Sequence, residues 1–152
     1  LDKKVSRALS HYIMAGFYNA LGDIDKAIRE YQKALNADSG NSLIHLKLAS
    51  SYINKNNLDK AAAELNLAAK FNPDAIEPHA ILALLYSTQN KPDLAALEYE
   101  YALKNASKLA PDNIDIYRTL GALYLQQKKI KEAENTYRLI LNLSHGDAQP
   151  HY

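Results

Sequence analysis

The segment SLIHLKLASSYINKNNLDKAAAELNLAAKFNPDA, residues 42–75, is one copy of a pattern that recurs every 34 residues along a chain of 152 residues. Residues of one type recur at this spacing: Tyr18, Tyr52 and Tyr86; His11, His45 and His79; Ala27, Ala61 and Ala95. A fixed period of this length indicates an array of one small stacked unit, and it argues against a globular domain folded around a pocket.

The quoted segment has the pattern of two amphipathic helices joined by a short polar turn. Leu48 and Tyr52 belong to the apolar face of the first predicted helix, and Ala61 and Leu65 belong to that of the second. An asparagine-rich stretch between them supplies the turn. Pro73 ends the second helix, because proline cannot continue a helix interior.

Aligned on this period, the chain divides into four units: 8–41, 42–75, 76–113 and 114–147. Residues 148–152 resemble the start of the third unit, and we expect them to begin a further one. Repeat arrays normally finish with a polar capping helix, which the sequence does not show. We therefore interpret the chain as a fragment of a longer protein. The alternative is that residues 148–152 form a short disordered tail.

In the first unit, apolar residues at helical spacing predict an amphipathic helix. They are Leu9, Ile13, Phe17 and Leu21. Asp23 is placed to cap the second helix of this unit, because a short acidic side chain accepts hydrogen bonds from the first free N–H groups of a helix.

The third unit is longer than the others. Its closing Pro111 comes four residues later than the period predicts from Pro73. Four residues are close to one helical turn of about 3.6 residues, so we expect a second helix that is longer by one turn. A small functional protrusion near residues 105–108 is the alternative.

The recurring residues resemble the tetratricopeptide repeat, whose signature is W-x2-L-G-x2-Y, then A-x3-F and a closing P, at a 34-residue period. The match in the fourth unit is Tyr117, Leu120, Gly121, Tyr124, Ala133 and Tyr137. The match in the second unit is His45, Leu48, Ala49, Tyr52, Ala61, Leu65, Ala68 and Pro73. The resemblance implies an all-α fold, a right-handed α-solenoid of antiparallel helix pairs. Small residues recur where two helices must approach closely: Ala15, Ala49, Ala83 and Gly121 in first helices, and Ala27, Ala61, Ala95 and Ala133 in second helices.

Composition argues against several classes of function. The chain has no cysteine, which excludes disulfides and thiolate chemistry, and its net charge is only +1 with no basic stripe, so we expect no nucleic-acid partner. The longest apolar run, residues 80–86, is far shorter than the roughly 20 residues that span a bilayer, so we expect no direct membrane insertion. A soluble protein is expected, and both the cytoplasm and the periplasm fit it.

The residues that could carry chemistry do not form a convincing site. The periodic histidines lie on successive units whose helices pack about 8–10 Å apart, so we interpret them as packing residues, with no metal and no cofactor. Ser144, His145 and Asp147 have the side chains of a hydrolase triad, but neighbours in sequence seldom converge, and we assign them to the turn that ends the fourth unit. We expect no catalytic residues and no enzymatic activity within this chain.

The resemblance places a binding groove along the first helices of the units. The groove positions of the first two units are Tyr12, Gly16, Asn19, Leu43, Leu46, Ser50, Ile53 and Asn54. Those of the last two units are Glu77, Ala80, Leu84, Ser87, Thr88, Asp115, Arg118, Ala122, Leu125 and Gln126. The apolar middle of this set favours a peptide or a partner helix with apolar anchors.

Some tetratricopeptide arrays hold a C-terminal carboxylate with a clamp of basic and amide side chains. The clamp positions are occupied here by Tyr12, Gly16, Glu77 and Ile81, so we expect no ligand of that kind. The preferred interpretation is a protein-interaction module or scaffold. One alternative is a regulatory or substrate-selecting arm of an enzyme, such as a glycosyltransferase, whose catalytic domain lies outside this chain. A further hypothesis is head-to-tail self-association, because the ends of such an array can stack on one another.

Overall fold

The computed structural model describes residues 2–148, and these form eight α-helices with no β-strand among them. Their bounds are α1 Lys3–Ala20, α2 Ile24–Ala37, α3 Ser42–Asn54, α4 Leu58–Phe71, α5 Glu77–Thr88, α6 Pro92–Leu109, α7 Ile114–Gln126 and α8 Ile130–Ala148. Helices pack mainly on their neighbours in sequence, first within each antiparallel pair and then between one pair and the next. The all-α solenoid that the resemblance implies is therefore confirmed.

The turn between the two helices of each pair contains one residue in the left-handed backbone region. These residues are Gly22, Asn56, Asn90 and Lys128, with φ between 57° and 81°. Glycine and asparagine adopt this conformation most easily, which explains why three of the four turns contain them. The next helix then begins at a capping side chain in the first two turns: Asp23 accepts a hydrogen bond from the Lys26 N–H, as predicted, and Asn57 accepts one from Lys60.

Small residues at the predicted positions let the helices pack closely. Ala15, Ala27, Ala49 and Ala61 are fully buried, and Leu48, Leu65 and Leu82 are the largest fully buried apolar side chains beside them. Gly121 takes the alanine position in the last pair because a Cβ there would lie 3.0 Å from the ring of Tyr137. One core cluster runs from α1 to α5, and a second joins α6, α7 and α8.

The first helix differs from its counterparts in one respect. Met14 and Phe17 are 41% and 55% exposed, whereas Leu48 and Ser51, at the same positions of α3, are each 1% exposed. The preceding helix pair packs on α3, but no described residue packs on that face of α1. The helix predicted from Leu9, Ile13, Phe17 and Leu21 is present, with Leu21 as its C-cap, but all four side chains are at least 50% exposed.

The four extra residues of the third unit lie in α6, which has 18 residues where α2 and α4 each have 14. The added turn is anchored to the preceding loop by Asn105, which is 6% exposed and donates two hydrogen bonds of 2.9 Å to the carbonyls of Pro73 and Ala75. Lys108 adds an exposed ion pair with Asp74 at 2.8 Å. This turn is a structural support for the loop, and it is not a separate protrusion.

The fourth unit ends differently from the prediction. Ser144 and His145 lie within α8, which continues to Ala148, and they do not lie in a turn. The physical reason is that His145 stands where proline closes the second and third units, so nothing stops the helix there. The predicted start of a further unit at Pro150 and His151 lies outside the described residues.

We predict that Asn105→Ala lowers the free energy of unfolding by about 1–3 kcal/mol, because it removes two buried hydrogen bonds between α6 and the preceding loop. Urea denaturation followed by circular dichroism measures the loss. Lys108→Ala is the control from the same turn, and its exposed ion pair should contribute less than about 1 kcal/mol. Equal effects of the two substitutions would contradict the anchoring role of Asn105.

Candidate functional site

The groove positions on the first helices form a largely exposed surface. Of the predicted residues, the exposed ones are Gly16, Asn19, Leu43, Ser50, Asn54, Glu77, Ala80, Leu84, Ser87, Thr88, Asp115, Arg118, Ala122, Leu125 and Gln126. Leu84 is the most exposed of its leucines, at 66%. Burying a leucine side chain contributes about 1.5–3 kcal/mol, so uncovered leucines on one surface are a source of binding energy.

Three predicted groove residues belong partly to the core. Tyr12, Leu46 and Ile53 are half-buried and pack against the main core cluster. Leu46 therefore contributes to the core of its helix pair, and only part of its side chain is accessible to a ligand. Among the leucines of α3, Leu43 is the one that offers a free surface, with half of its side chain exposed.

Clefts of different sizes include groove positions, and a small one of about 210 Å³ is lined by Tyr12 and Leu43. A larger cleft, of about 640 Å³, brings Leu43 and Leu46 together with Glu77 and with Leu109 from the added turn of α6. Sequence reasoning did not identify Leu109, although the four extra residues marked the place where a new side chain could reach the groove.

Another cleft, of about 440 Å³, opens between α5, α6 and α7. It brings together Ala80, Leu84 and Ser87 of α5 with Gln126 of α7. Its wall also includes Tyr99 of α6, which sequence reasoning did not identify. The remaining groove positions of α1, α3 and α7, such as Asn19, line neither this cleft nor the one of about 640 Å³.

Each of the first three units contains the same histidine–glutamate pair between its two helices. The Nδ1–Oε2 distance is 2.6 Å in all three: His11 with Glu30, His45 with Glu64, and His79 with Glu98. The histidines were predicted to be packing residues, but their glutamate partners were missed. The signal was present, since the glutamates also recur at intervals of 34 residues. The fourth unit has Tyr117 and Thr136 at these positions.

The middle pair uses both nitrogens of its ring. Nδ1 of His45 faces the Glu64 carboxylate, and Nε2 lies 2.8 Å from the carbonyl oxygen of Ser39. The ring also stacks on Phe71, with centroids 5.6 Å apart. Both ring nitrogens of His45 have hydrogen-bond partners within the protein, so neither is free to ligate a metal. Among residues 2–148, no group of three or more candidate ligands is placed to hold a metal ion.

The interface between the third and fourth units contains a buried carboxylate. Glu100 is 7% exposed and lies 3.5 Å from the Lys104 ammonium and 3.8 Å from that of Lys129. Burial, followed by the hydrogen bond with Glu100, raises the pKa of Tyr124 above its ordinary value. Glu98, two residues earlier in α6, pairs instead with His79.

The pKa of Glu30 is lowered from its ordinary value of 4.5, chiefly by the hydrogen bond with His11. Burial opposes this effect, and Lys33, 3.3 Å away, adds to the lowering. A carboxylate can only accept hydrogen bonds, so the ring of His11 donates its Nδ1 proton in this pair.

Within residues 2–148, none of the helices combines the length and the apolar character needed to cross a bilayer.

Comparison with known proteins agrees with this architecture. The family model of the tetratricopeptide repeat matches residues 18–85 and 89–152. A crystal structure of MamA is similar over 93% of this chain and 80% of its own, with a TM-score of 0.60 and 19% identity. The first tetratricopeptide domain of Spaghetti (RPAP3), bound to the HSP90 peptide SRMEEVD, is similar over 82% of this chain and 95% of its own, with a TM-score of 0.64 and 22% identity. No curated protein sequence matches the chain.

We predict that Glu30→Gln lowers the free energy of unfolding at neutral pH and that this loss shrinks below pH 4.5. A carboxylate with a lowered folded pKa stabilises the fold above its unfolded pKa, and the contribution disappears as the pH falls through the folded value. Urea denaturation at a series of pH values measures the effect. Glu134→Gln is the control, since Glu134 pairs with Arg138 on the exposed surface of α8. The same pH dependence in both variants would contradict the role given to His11 and Glu30.

Proposed function

Because this chain belongs to the tetratricopeptide repeat family, we propose that it is a protein-interaction module that binds a peptide or a partner helix in its groove, mainly by burying apolar side chains. The observation that carries the proposal is that three successive first helices each have an uncovered leucine at a groove position. Leu43, Leu84 and Leu125 are each about half exposed or more, at 50%, 66% and 48%. The family is generally a non-catalytic interaction fold, and the proposal assigns no reaction to this chain.

A C-terminal carboxylate is not the proposed ligand. The RPAP3 domain was solved with an HSP90 peptide that ends in aspartate, and this chain shares its fold. At the positions of a carboxylate clamp, however, Tyr12 and Ile81 are half-buried and apolar, Gly16 has no side chain, and Glu77 carries a negative charge. Glu77 would repel an acidic peptide end, so an apolar segment of the partner fits better than its terminus.

The alternative of a regulatory arm requires a catalytic domain outside this chain. No contact among residues 2–148 favours it over a simple interaction module. A clearer second candidate is head-to-tail self-association, because Met14 and Phe17 are exposed at positions that are buried in α3. The helix pair α7 and α8 of a second copy is the proposed occupant of this face, since an equivalent pair covers it inside the array.

We predict that Leu43→Glu combined with Leu84→Glu lowers the affinity for groove peptides at least about tenfold, because both charges lie where apolar anchors bind. The probes are linear peptides selected on the unmodified protein from a displayed random library, and titration calorimetry measures their affinity. Leu46 is avoided, since a glutamate there would enter the core.

The matched control for the groove test carries Leu94→Glu and Leu139→Glu, two exposed leucines on the second helices α6 and α8. It should bind the peptides as the unmodified protein does. Unchanged affinity of the groove variant, with helical content preserved, would refute binding through the groove.

We predict that the mass measured by light scattering rises with protein concentration and that Phe17→Glu abolishes the rise, because a charge replaces the exposed apolar contact on α1. Leu94→Glu, an exposed leucine elsewhere, should leave the rise unchanged. A constant monomer mass of the unmodified protein up to millimolar concentration would disprove self-association through this face.

A further inference from the structure

One contact between groove and core is repeated in the first two units and missing in the third. In the first unit, Tyr12 of α1 covers Tyr31 of α2, with ring centroids 6.0 Å apart and planes at 62°. The equivalent residues of the second unit are Leu46 and Leu65, and those of the third are Ala80 and Tyr99. The third unit therefore keeps a large side chain on its second helix, Tyr99. On its first helix it has only the methyl group of Ala80 in place of the larger residue.

The missing side chain leaves its partner uncovered. Tyr31 is 3% exposed and Leu65 is fully buried, whereas Tyr99 is 42% exposed. Tyrosine rings carry a large apolar surface that is normally covered when the residue sits at a core position. The exposure of Tyr99 thus follows from the small residue at position 80, because the two positions face each other in the first unit.

The space above Tyr99 is the cleft of about 440 Å³ between α5, α6 and α7. Small side chains, among them Ala80, Ala83 and Ala95, form its walls, and Leu84 closes one side. Ser87 and Gln126 are exposed polar residues in its lining. An apolar recess with a few polar groups beside it is typical of a site that accepts one anchoring side chain and the adjoining peptide backbone.

We propose that this cleft, which we term the Tyr99 pocket, binds a single aromatic side chain, phenylalanine or tyrosine, supplied by the partner. The inference rests on the proposed function and specifies the anchor that the groove selects. The first unit indicates the class of ligand, since an aromatic ring covers Tyr31 there. A partner ring on Tyr99 restores the edge-to-face pair that Tyr12 and Tyr31 form within the chain.

A fragment experiment tests the pocket without any partner protein. The probe is p-cresol, the side chain of tyrosine, and 4-methylcyclohexanol is its non-aromatic match. In NMR titrations of the full chain, p-cresol should shift the signals of the Tyr99 ring and of the Ala83 and Ala95 methyl groups, and 4-methylcyclohexanol should bind more weakly. Equal binding of the two probes would overturn the aromatic class of the ligand.

Filling the pocket from within should abolish this binding. Ala80→Tyr recreates the pair of the first unit, and we expect it to remove the p-cresol shifts at Tyr99 and to raise Tm. Ala80→Leu, which copies the second unit, serves the same purpose if the larger ring does not fit. Ala63→Tyr, on the exposed surface of α4, is the control and should leave p-cresol binding unchanged. Persistent shifts in both pocket variants would refute the assignment.

The peptides selected for the groove test provide a second readout. We expect them to share one aromatic residue and to lose affinity at least about tenfold for the Ala80→Tyr variant. Peptides that require Leu43 and Leu84 but carry no aromatic residue would overturn the pocket and leave the groove proposal intact. Binding of p-cresol at Tyr99 without any selected groove peptide would support the pocket while the groove proposal fails.

Discussion

Each helix pair of this chain has apolar surface on two sides and can cover only one of them itself. Leu48 and Met14 occupy equivalent positions, yet the first is 1% exposed and the second 41%, because a preceding pair packs on this face of α3 and none of the described residues packs on the same face of α1. Stability in such an array comes from contacts between neighbouring units. The burial of the faces between neighbouring units follows from this dependence.

The histidine–glutamate pairs follow a different rule, because each is satisfied within a single unit. The three histidine–glutamate pairs each join the two helices of one unit at 2.6 Å. Burying a polar group costs free energy unless the group has a hydrogen-bond partner. A partner on the same unit is available regardless of which unit packs beside it. Units are therefore connected by apolar surfaces and by a few polar contacts such as that of Asn105 with Pro73, while the histidine–glutamate pairs hold the two helices of a unit together.

Much of the fold was predictable because the same residue types return at the same spacing. The helices, their small contact residues and the Asp23 cap follow from local pattern. The half-burial of Leu46 does not, because groove and core positions are adjacent on a helix, and the distance between helices decides which side chains are covered. The anchoring of the added turn depends on a contact between Asn105 and Pro73, 32 residues apart. No periodic signal marks such a contact.

The residues that break the repeat are the ones able to carry specificity. Positions occupied by the same residue type in every unit pack between helices, so they do not determine which partner binds. Ala80 departs from the large residues at the equivalent positions, and its effect reaches a core position, since Tyr99 loses its cover. We expect this uncovered ring to make the third unit less stable than its neighbours. A ligand that covers the ring gains binding energy from that same deficit, and so recognition and stability are coupled at this unit.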